Sequence, residues 1–289
     1  MTPALFTEQD YLSAVENQWC HGCGNFGILR ALKRSLVELQ IAPYQLLMVS
    51  GIGQAGKFPH YLKCNLFNGL HGRAVPAATG AKLVNPELTV ITVGGDGDGY
   101  GEGGNHFMHG LLRNTDMTYL VPDNRVYALT KGQASPTSDN GFVTKTTPGG
   151  SGESLNPLAI AIAANASFVA RGYAGDTEHL STIISAAIQH KGFALVDILQ
   201  PCVSFNHVDT WEFYQKRVYN LDAEKDYNSA DRVNAFQRSL EWGDRIPTGI
   251  FHQIQRPLPQ EHLPVLQGEP LIKRPLDPHK IAPLLEELL

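Results

Sequence analysis

Residues 88–124 read LTVITVGGDGDGYGEGGNHFMHGLLRNTDMTYLVPDN. The apolar run Leu88–Val93 reads as a buried strand that runs into a glycine-rich turn. A helix over Gly104–Arg113 and a further strand over Met117–Val121 follow. Asp96 sits between two glycines, and Asn124 stands 28 positions later, just past that strand. This spacing suits a magnesium ion held against a diphosphate. Glycines let backbone N–H groups approach phosphate oxygens, and a carboxylate and an amide oxygen are hard ligands of the kind Mg²⁺ takes. A nicotinamide loop fits badly, because Asp96 and Asp98 would set two carboxylates against a pyrophosphate with no cation between them. A surface turn rich in Gly and Asp is the plain alternative, and the later Asn at a strand end counts against it.

Working outward, helical spacing covers Asn25–Leu39, Pro157–Ala164 (with Asn156 as N-cap) and Thr177–His190. Short apolar runs mark strands at Leu46–Ser50, Phe168–Ala170 and Phe193–Leu199. Strands alternating with helices imply an α/β fold, a mostly parallel sheet with helices on both faces. Four motifs, SGIG (50–53), GDGDG (95–99), DNRVYALTKGQ (123–133) and QPC (200–202), each follow a strand's carboxyl end. Ligands of open α/β sheets bind at that edge, so one composite site is expected. The long segment Asp123–Glu153, rich in Gly, Ser, Thr and Pro, is expected to fold over a ligand. The pattern weakens from His207, and prolines cluster from Pro247. The expectation is an α/β domain over residues 1–206 and an extension, 207–289, packed on the core or on a partner.

The 289 residues are 43% hydrophobic and 18% charged, which gives ample core for a soluble protein. A net charge of −5 supplies no basic footprint for nucleic acid. No apolar run reaches the length of a membrane span. The N-terminal MTPALFTEQDYL lacks a basic segment followed by an apolar one, so a cytoplasmic protein is expected. The cysteines are Cys20, Cys23, Cys64 and Cys202. A CxxC pair in such a chain points to metal, redox or cluster chemistry. Zinc remains open, with His21 and His207 near the cysteines in sequence. A single close pair, however, is unlike the two pairs of a zinc knuckle.

WCHGCGNFGIL (19–29), SGIG, HGRAVP (71–76), GDGDGYGEGGNHF (95–107), RNTDMTYLVPDNRVYALTKGQASPT (113–137) and QPCVSFN (200–206) together resemble the β subunit of 2-oxoacid:ferredoxin oxidoreductases. The resemblance covers residues 19 to 210 or so. The GDG…DN part is shared with thiamine diphosphate enzymes generally; WCxGCG with LTKGQASPT is more specific. The resemblance implies the thiamine diphosphate-binding fold, thiamine diphosphate, Mg²⁺ and one [4Fe–4S] cluster. It also implies coenzyme A, ferredoxin and an α (or fused γα) partner subunit in a hetero-oligomer. The implied reaction is oxidative decarboxylation of a 2-oxoacid, leaning toward 2-oxoglutarate, to acyl-CoA and CO₂, reversible with low-potential ferredoxin and so able to fix carbon.

Carried over by residue, Asp96, Asn124 and the carbonyl of Val126 would hold Mg²⁺, and Gly95, Gly97 and Asp98 would line the diphosphate. Ser50, Gly51, Ile52 and Gly53 would lie along the cofactor, with His71 near it and Leu129 against its ring. Lys57 and Lys131 are the cations expected at the substrate carboxylate, although lone lysines are more often solvated. His106 and His109, three apart on a helix, read as core or surface residues. Cys20, Cys23 and Cys202 match cluster ligands. The chain departs from the family directly after SGIG, where many relatives have cysteine and Gln54 stands here. Cys64, ten residues on, is the candidate fourth thiolate, since a cubane usually takes four; a non-cysteine ligand, or no cluster, stays open. The glutamate that activates the aminopyrimidine ring is expected from the α subunit. Two other functions remain: a non-redox thiamine decarboxylase or synthase half, and a non-catalytic metal- or cluster-binding scaffold.

Overall fold

The structure, a computed structural model, describes residues 5–275 and 277–287. Eight strands form one sheet: β1 (Leu46–Ser50), β2 (Asn65–Asn68), β3 (Thr89–Val93), β4 (Met117–Asp123), β7 (Phe168–Tyr173), β8 (Phe193–Leu199), β9 (Val218–Asn220) and β10 (Ile246–Gln253). Two short strands, β5 (Val126–Tyr127) and β6 (Gln133–Ala134), pair apart from it. The order across the large sheet is β2-β1-β3-β4-β8-β7-β10-β9. Every pairing is parallel except β7 with β10.

Strand side chains alternate between two apolar layers, as the period of two requires. Met48, Ile91, Leu120 and Val196 face helices α1 (Asn25–Glu38) and α5 (Thr177–Gln189). Val49, Val90, Tyr119 and Leu195 face α2 (Ala74–Val84), α3 (Gly104–Arg113) and α4 (Pro157–Ala163). β4 and β8 are buried along their whole length, as central parallel strands must be. The Asn156 side chain caps α4 by accepting from the Ala159 N–H at 3.0 Å. Among the described residues no helix is long and apolar enough to cross a membrane.

Several elements depart from the sequence reading, three of them instructively. α2 has Pro76 in its first turn, where no intrahelical partner for the N–H is needed. β2 is a short edge strand with all four residues exposed, so it lacks an apolar signal. β10 contains Pro247 and Gly249, yet it is mostly buried; Gly249 has φ +119°, and the register with β7 shifts between Ile250 and His252. A bulge accommodates there what a regular strand would not. Residues beyond 207 thereby add β9 and β10 to the sheet, and the helices α6 (Trp211–Gln215) and α7 (Arg232–Ser239) bury Tyr214 and Ala235.

Candidate functional site

The carboxyl ends of β1, β3 and β4 open on a cavity of about 430 Å³. Ten of the expected residues line it: Ile52, Gly53, His71, Gly95, Asp96, Gly97, Asp98, Asn124, Val126 and Leu129. Ser50 and Gly51 stand behind the wall. The Ser50 hydroxyl accepts from Asn68 Nδ2 at 2.7 Å, and a Cβ on Gly51 would fall 1.9 Å from Asp98 Oδ2. Leu129 is exposed on the wall, free to meet a ligand. The lysines fall elsewhere. Lys131, in a left-handed conformation with φ +78°, lines a neighbouring cavity with Lys145 and Phe205. Lys57, on the helical turn Ala55–Tyr61, lines neither cavity.

The turn after β3 winds as a π-helix over Gly97–Glu102 before α3 begins, a geometry found often at functional sites. Its glycines answer to packing as well as to ligand approach. A Cβ on Gly97 would strike the Tyr127 ring at 2.4 Å, and one on Gly99 would strike Tyr119 Oη at 2.0 Å. A Cβ on Gly95 would meet only ordinary contacts, Ala55 Cβ and the Pro122 carbonyl at 3.7 Å. Asp98 lines the cavity, but its Oδ1 is occupied by the N–H groups of Ile52 at 3.0 Å and Gly72 at 2.9 Å. It ties the SGIG and HGRAVP loops together, while its Oδ2 is buried without a hydrogen-bond partner. Burial pushes its pKa up, and these two N–H donors oppose the shift.

Asp96 is 1% exposed. The Thr137 hydroxyl lies 2.8 Å from both Asp96 Oδ2 and Asp123 Oδ1. One hydroxyl has one proton, so it can donate to only one of these carboxylates. Burial and then the neighbouring Asp123 push Asp96 up to about 8, and burial and then Asp197 push Asp123 up to about 7. Such a group is a poor anion alone and a good ligand for a hard cation. Asn124 Oδ1 accepts from the Val126 N–H at 3.1 Å, an Asx turn that sets both residues on the cavity wall.

A second, smaller cleft adjoins the first. Cys20, Cys23, Cys202 and Gln54 line it, and Gln54, Asn124 and Ala128 line both. It is a small cleft of about 20 Å³, and Cys20 is exposed. Gln200 Nε2 donates to Cys23 Sγ at 3.4 Å. Burial pushes the Cys23 thiol up to about 11, with Cys202 and Cys20 adding. Among the described residues no three His, Cys, Asp or Glu side chains converge on one metal-ion position. Cys64 is not in the cleft. It precedes β2, packs on the apolar core, and burial pushes its thiol up to about 11.

The family model of the thiamine pyrophosphate enzyme C-terminal TPP-binding domain matches residues 48–198, and that of the C-terminal region of the pyruvate ferredoxin oxidoreductase β chain matches 202–268. A 2-oxoacid:ferredoxin oxidoreductase subunit beta from Sulfolobus sp is 49% identical over 249 residues, 82% of each chain. A 2-oxoglutarate synthase subunit KorB from Methanocaldococcus jannaschii is 35% identical over 89% of this chain and 94% of its own. The chain belongs to the β subunits of the 2-oxoacid:ferredoxin oxidoreductases. A solved 2-oxoglutarate:ferredoxin oxidoreductase from Magnetococcus marinus, with 2-oxoglutarate, coenzyme A and succinyl-CoA bound, superposes with a TM-score of 0.88 at 36% identity over 96% of both chains.

Within this β subunit the support around Asp96 escapes a reading of the sequence. Asp123 reads only as one letter of a motif, and Ser135, Thr137 and Ser138 only as parts of a loop, yet all are buried. Arg125, left-handed with φ +60°, donates Nε to the Thr137 carbonyl at 2.7 Å, and its own carbonyl accepts from Ser138 Oγ at 2.5 Å. The first half of the long loop is thus strapped beneath the cavity. A non-glycine residue in that conformation is a cue to function, but it is invisible in sequence.

Proposed function

We propose that this chain carries the thiamine diphosphate, Mg²⁺ and iron–sulfur groups of a CoA-acylating 2-oxoacid:ferredoxin oxidoreductase, acting on 2-oxoglutarate or a related 2-oxoacid with an α partner subunit. One observation carries the reading: the cavity at Asp96 and the cleft at the three cysteines share the wall of Gln54, Asn124 and Ala128. A site for carbon chemistry thereby adjoins a site for electrons.

The residues fit the groups they would hold. Asp96, Asn124 and the Val126 carbonyl would take Mg²⁺, with the Thr137 hydroxyl against the Asp96 carboxylate from behind. Gly95 and Gly97 line the cavity, where a glycine backbone can approach a phosphate oxygen, and Leu129 offers an apolar surface to a ring. Thiamine diphosphate, when bound, supplies the electron sink for decarboxylating a 2-oxoacid. Cys20, Cys23 and Cys202 would hold the cluster, the Gln200 amide supporting Cys23 as thiolate. Glu102 stands exposed at the cavity rim, so the glutamate that activates the aminopyrimidine is assigned to the partner. The cofactor-holding part is assigned to residues 1–206 and a packing role to 207–289. Lys131, on the adjoining cavity, remains the candidate cation for an anionic substrate group; Lys57 has less support.

The test is co-expression with and without the α chain, followed by anaerobic assay of viologen reduction dependent on 2-oxoacid and CoA across a substrate panel. Activity is expected from the complex alone, highest with 2-oxoglutarate. Full activity from the isolated chain would falsify the shared site, and decarboxylation without dye reduction would point to the non-redox reading.

A further inference from the structure

Three side-chain amide oxygens, Asn25 Oδ1, Gln54 Oε1 and Gln200 Oε1, are buried without a hydrogen-bond partner, and all three residues line the cysteine cleft. Buried amide oxygens are ordinarily satisfied, and an orphan calls for an explanation. Asn25 and Gln200 are each only 1% exposed. Gln54 is held in place at this cleft: Trp19, next to Cys20, donates Nε1 to the Gln54 carbonyl at 2.9 Å. Gln54, directly after SGIG, therefore lines the same cleft as Cys20, Cys23 and Cys202, with an oxygen that lacks a donor.

Cys64 stands elsewhere for a topological reason. β2 runs parallel to β1 with Asn65 opposite Leu47 and Asn68 opposite Ser50. Cys64, one residue before Asn65, falls level with Leu46, four residues back from Ser50. That is about 13 Å down the strand at some 3.3 Å per residue. Gln54 lies beyond Ser50, past the carboxyl end of β1. Cys64 is at the amino edge of a parallel sheet and the cleft is at the carboxyl edge, so side-chain rotation alone does not bring that thiol to the other three.

Resting on the cluster reading above, we propose that the cluster is held by three thiolates, Cys20, Cys23 and Cys202, and that its fourth iron faces Gln54, not Cys64. An iron bound through an amide oxygen or water is held more weakly than one bound through a thiolate, because soft sulfur ligands are the ones iron–sulfur irons prefer. That corner is the first to leave on oxidation. One electron passes from [4Fe–4S]²⁺ to an added oxidant such as ferricyanide, and the [4Fe–4S]³⁺ formed releases Fe²⁺ and leaves [3Fe–4S]⁺. Charge and iron both balance.

The experiment uses the complex of this chain with its α subunit, purified anaerobically and titrated with ferricyanide. Iron and sulfide analysis, electron paramagnetic resonance and Mössbauer spectra are the readouts. The wild-type complex is expected to lose about one iron per cluster and to develop the [3Fe–4S]⁺ signal, both reversed by Fe²⁺ with a reductant. Gln54→Cys is expected to keep all its iron through the same titration, and Cys64→Ala to match wild type in iron content and signal. Loss of the cluster in Cys64→Ala, with melting temperature and thiamine diphosphate binding retained, overturns the assignment. So does wild-type resistance equal to that of Gln54→Cys. A wild-type complex that binds thiamine diphosphate but no iron or sulfide removes the cluster reading itself, and the proposal with it.

Discussion

Asp96 and Asn124 are legible in sequence because a strand, a tight turn, a helix and a strand fix the distance between them. The Thr137 hydroxyl is not: it lies 41 positions from Asp96 and reaches it only because Arg125 straps the loop back. The pH behaviour of the site follows from that grouping. In the cation-free protein burial and then Asp123 push Asp96 up to about 8, against 3.8 ordinarily. Between those values the folded state binds a proton that the unfolded state has released, so stability falls as pH rises through this window. Mg²⁺ must displace the same proton. Affinity for Mg²⁺ with thiamine diphosphate is therefore expected to rise with pH up to about 8, with proton uptake by the buffer in titration calorimetry. Asp96→Asn should weaken Mg²⁺-dependent cofactor binding on the order of 100-fold or more and flatten the pH dependence. An unchanged pH profile in that variant would put the proton elsewhere.

At the scale of elements, regular apolar runs give boundaries within a residue or two for α1, β1, β3, α3 and β8. Among the segments such runs miss are those with proline or glycine inside them, α2 and β10, and the exposed edge β2. There tertiary packing overrides local propensity, since Pro76 costs little in a first helical turn and Gly249 serves a bulge. The turn after β3 makes the converse point. Its glycines read as a phosphate cradle, yet Gly99 is required first by Tyr119, whose ring is buried against β8's Phe193. Gly99→Ala should therefore destabilise by about 1–3 kcal/mol through overpacking, with the cofactor absent or present. Gly80→Ala, in the exposed interior of α2 with nothing within 4 Å of the added Cβ, should stabilise by up to ~1 kcal/mol. Denaturant melts of both variants check this. A neutral Gly99→Ala would mean that the π-helical turn yields easily and is not fixed by the tyrosine.

At the scale of the whole molecule, the sequence points to a partner subunit but not to where it binds, because exposure depends on which strand ends up at the sheet's edge. β2 is that edge. Leu66 and Phe67 are 47% and 51% exposed, and Leu70, just past the strand, is 74% exposed. An apolar edge strand left open invites pairing with other chains and is normally covered or blunted. Here it runs directly into His71, which lines the cofactor cavity. The partner subunit proposed to supply a glutamate to that cavity is therefore expected to seat on this edge. Phe67→Asp and Leu70→Asp should each weaken assembly roughly tenfold or more, as charged replacements do at the apolar centre of an interface. The melting temperature of the isolated chain should hardly move, since neither side chain is in the core. Co-purification and size-exclusion chromatography of each variant with the α chain read the first effect, and thermal melts the second. Normal assembly in both variants would place the α subunit on another face and leave the β2 edge to be covered by a second copy of this chain.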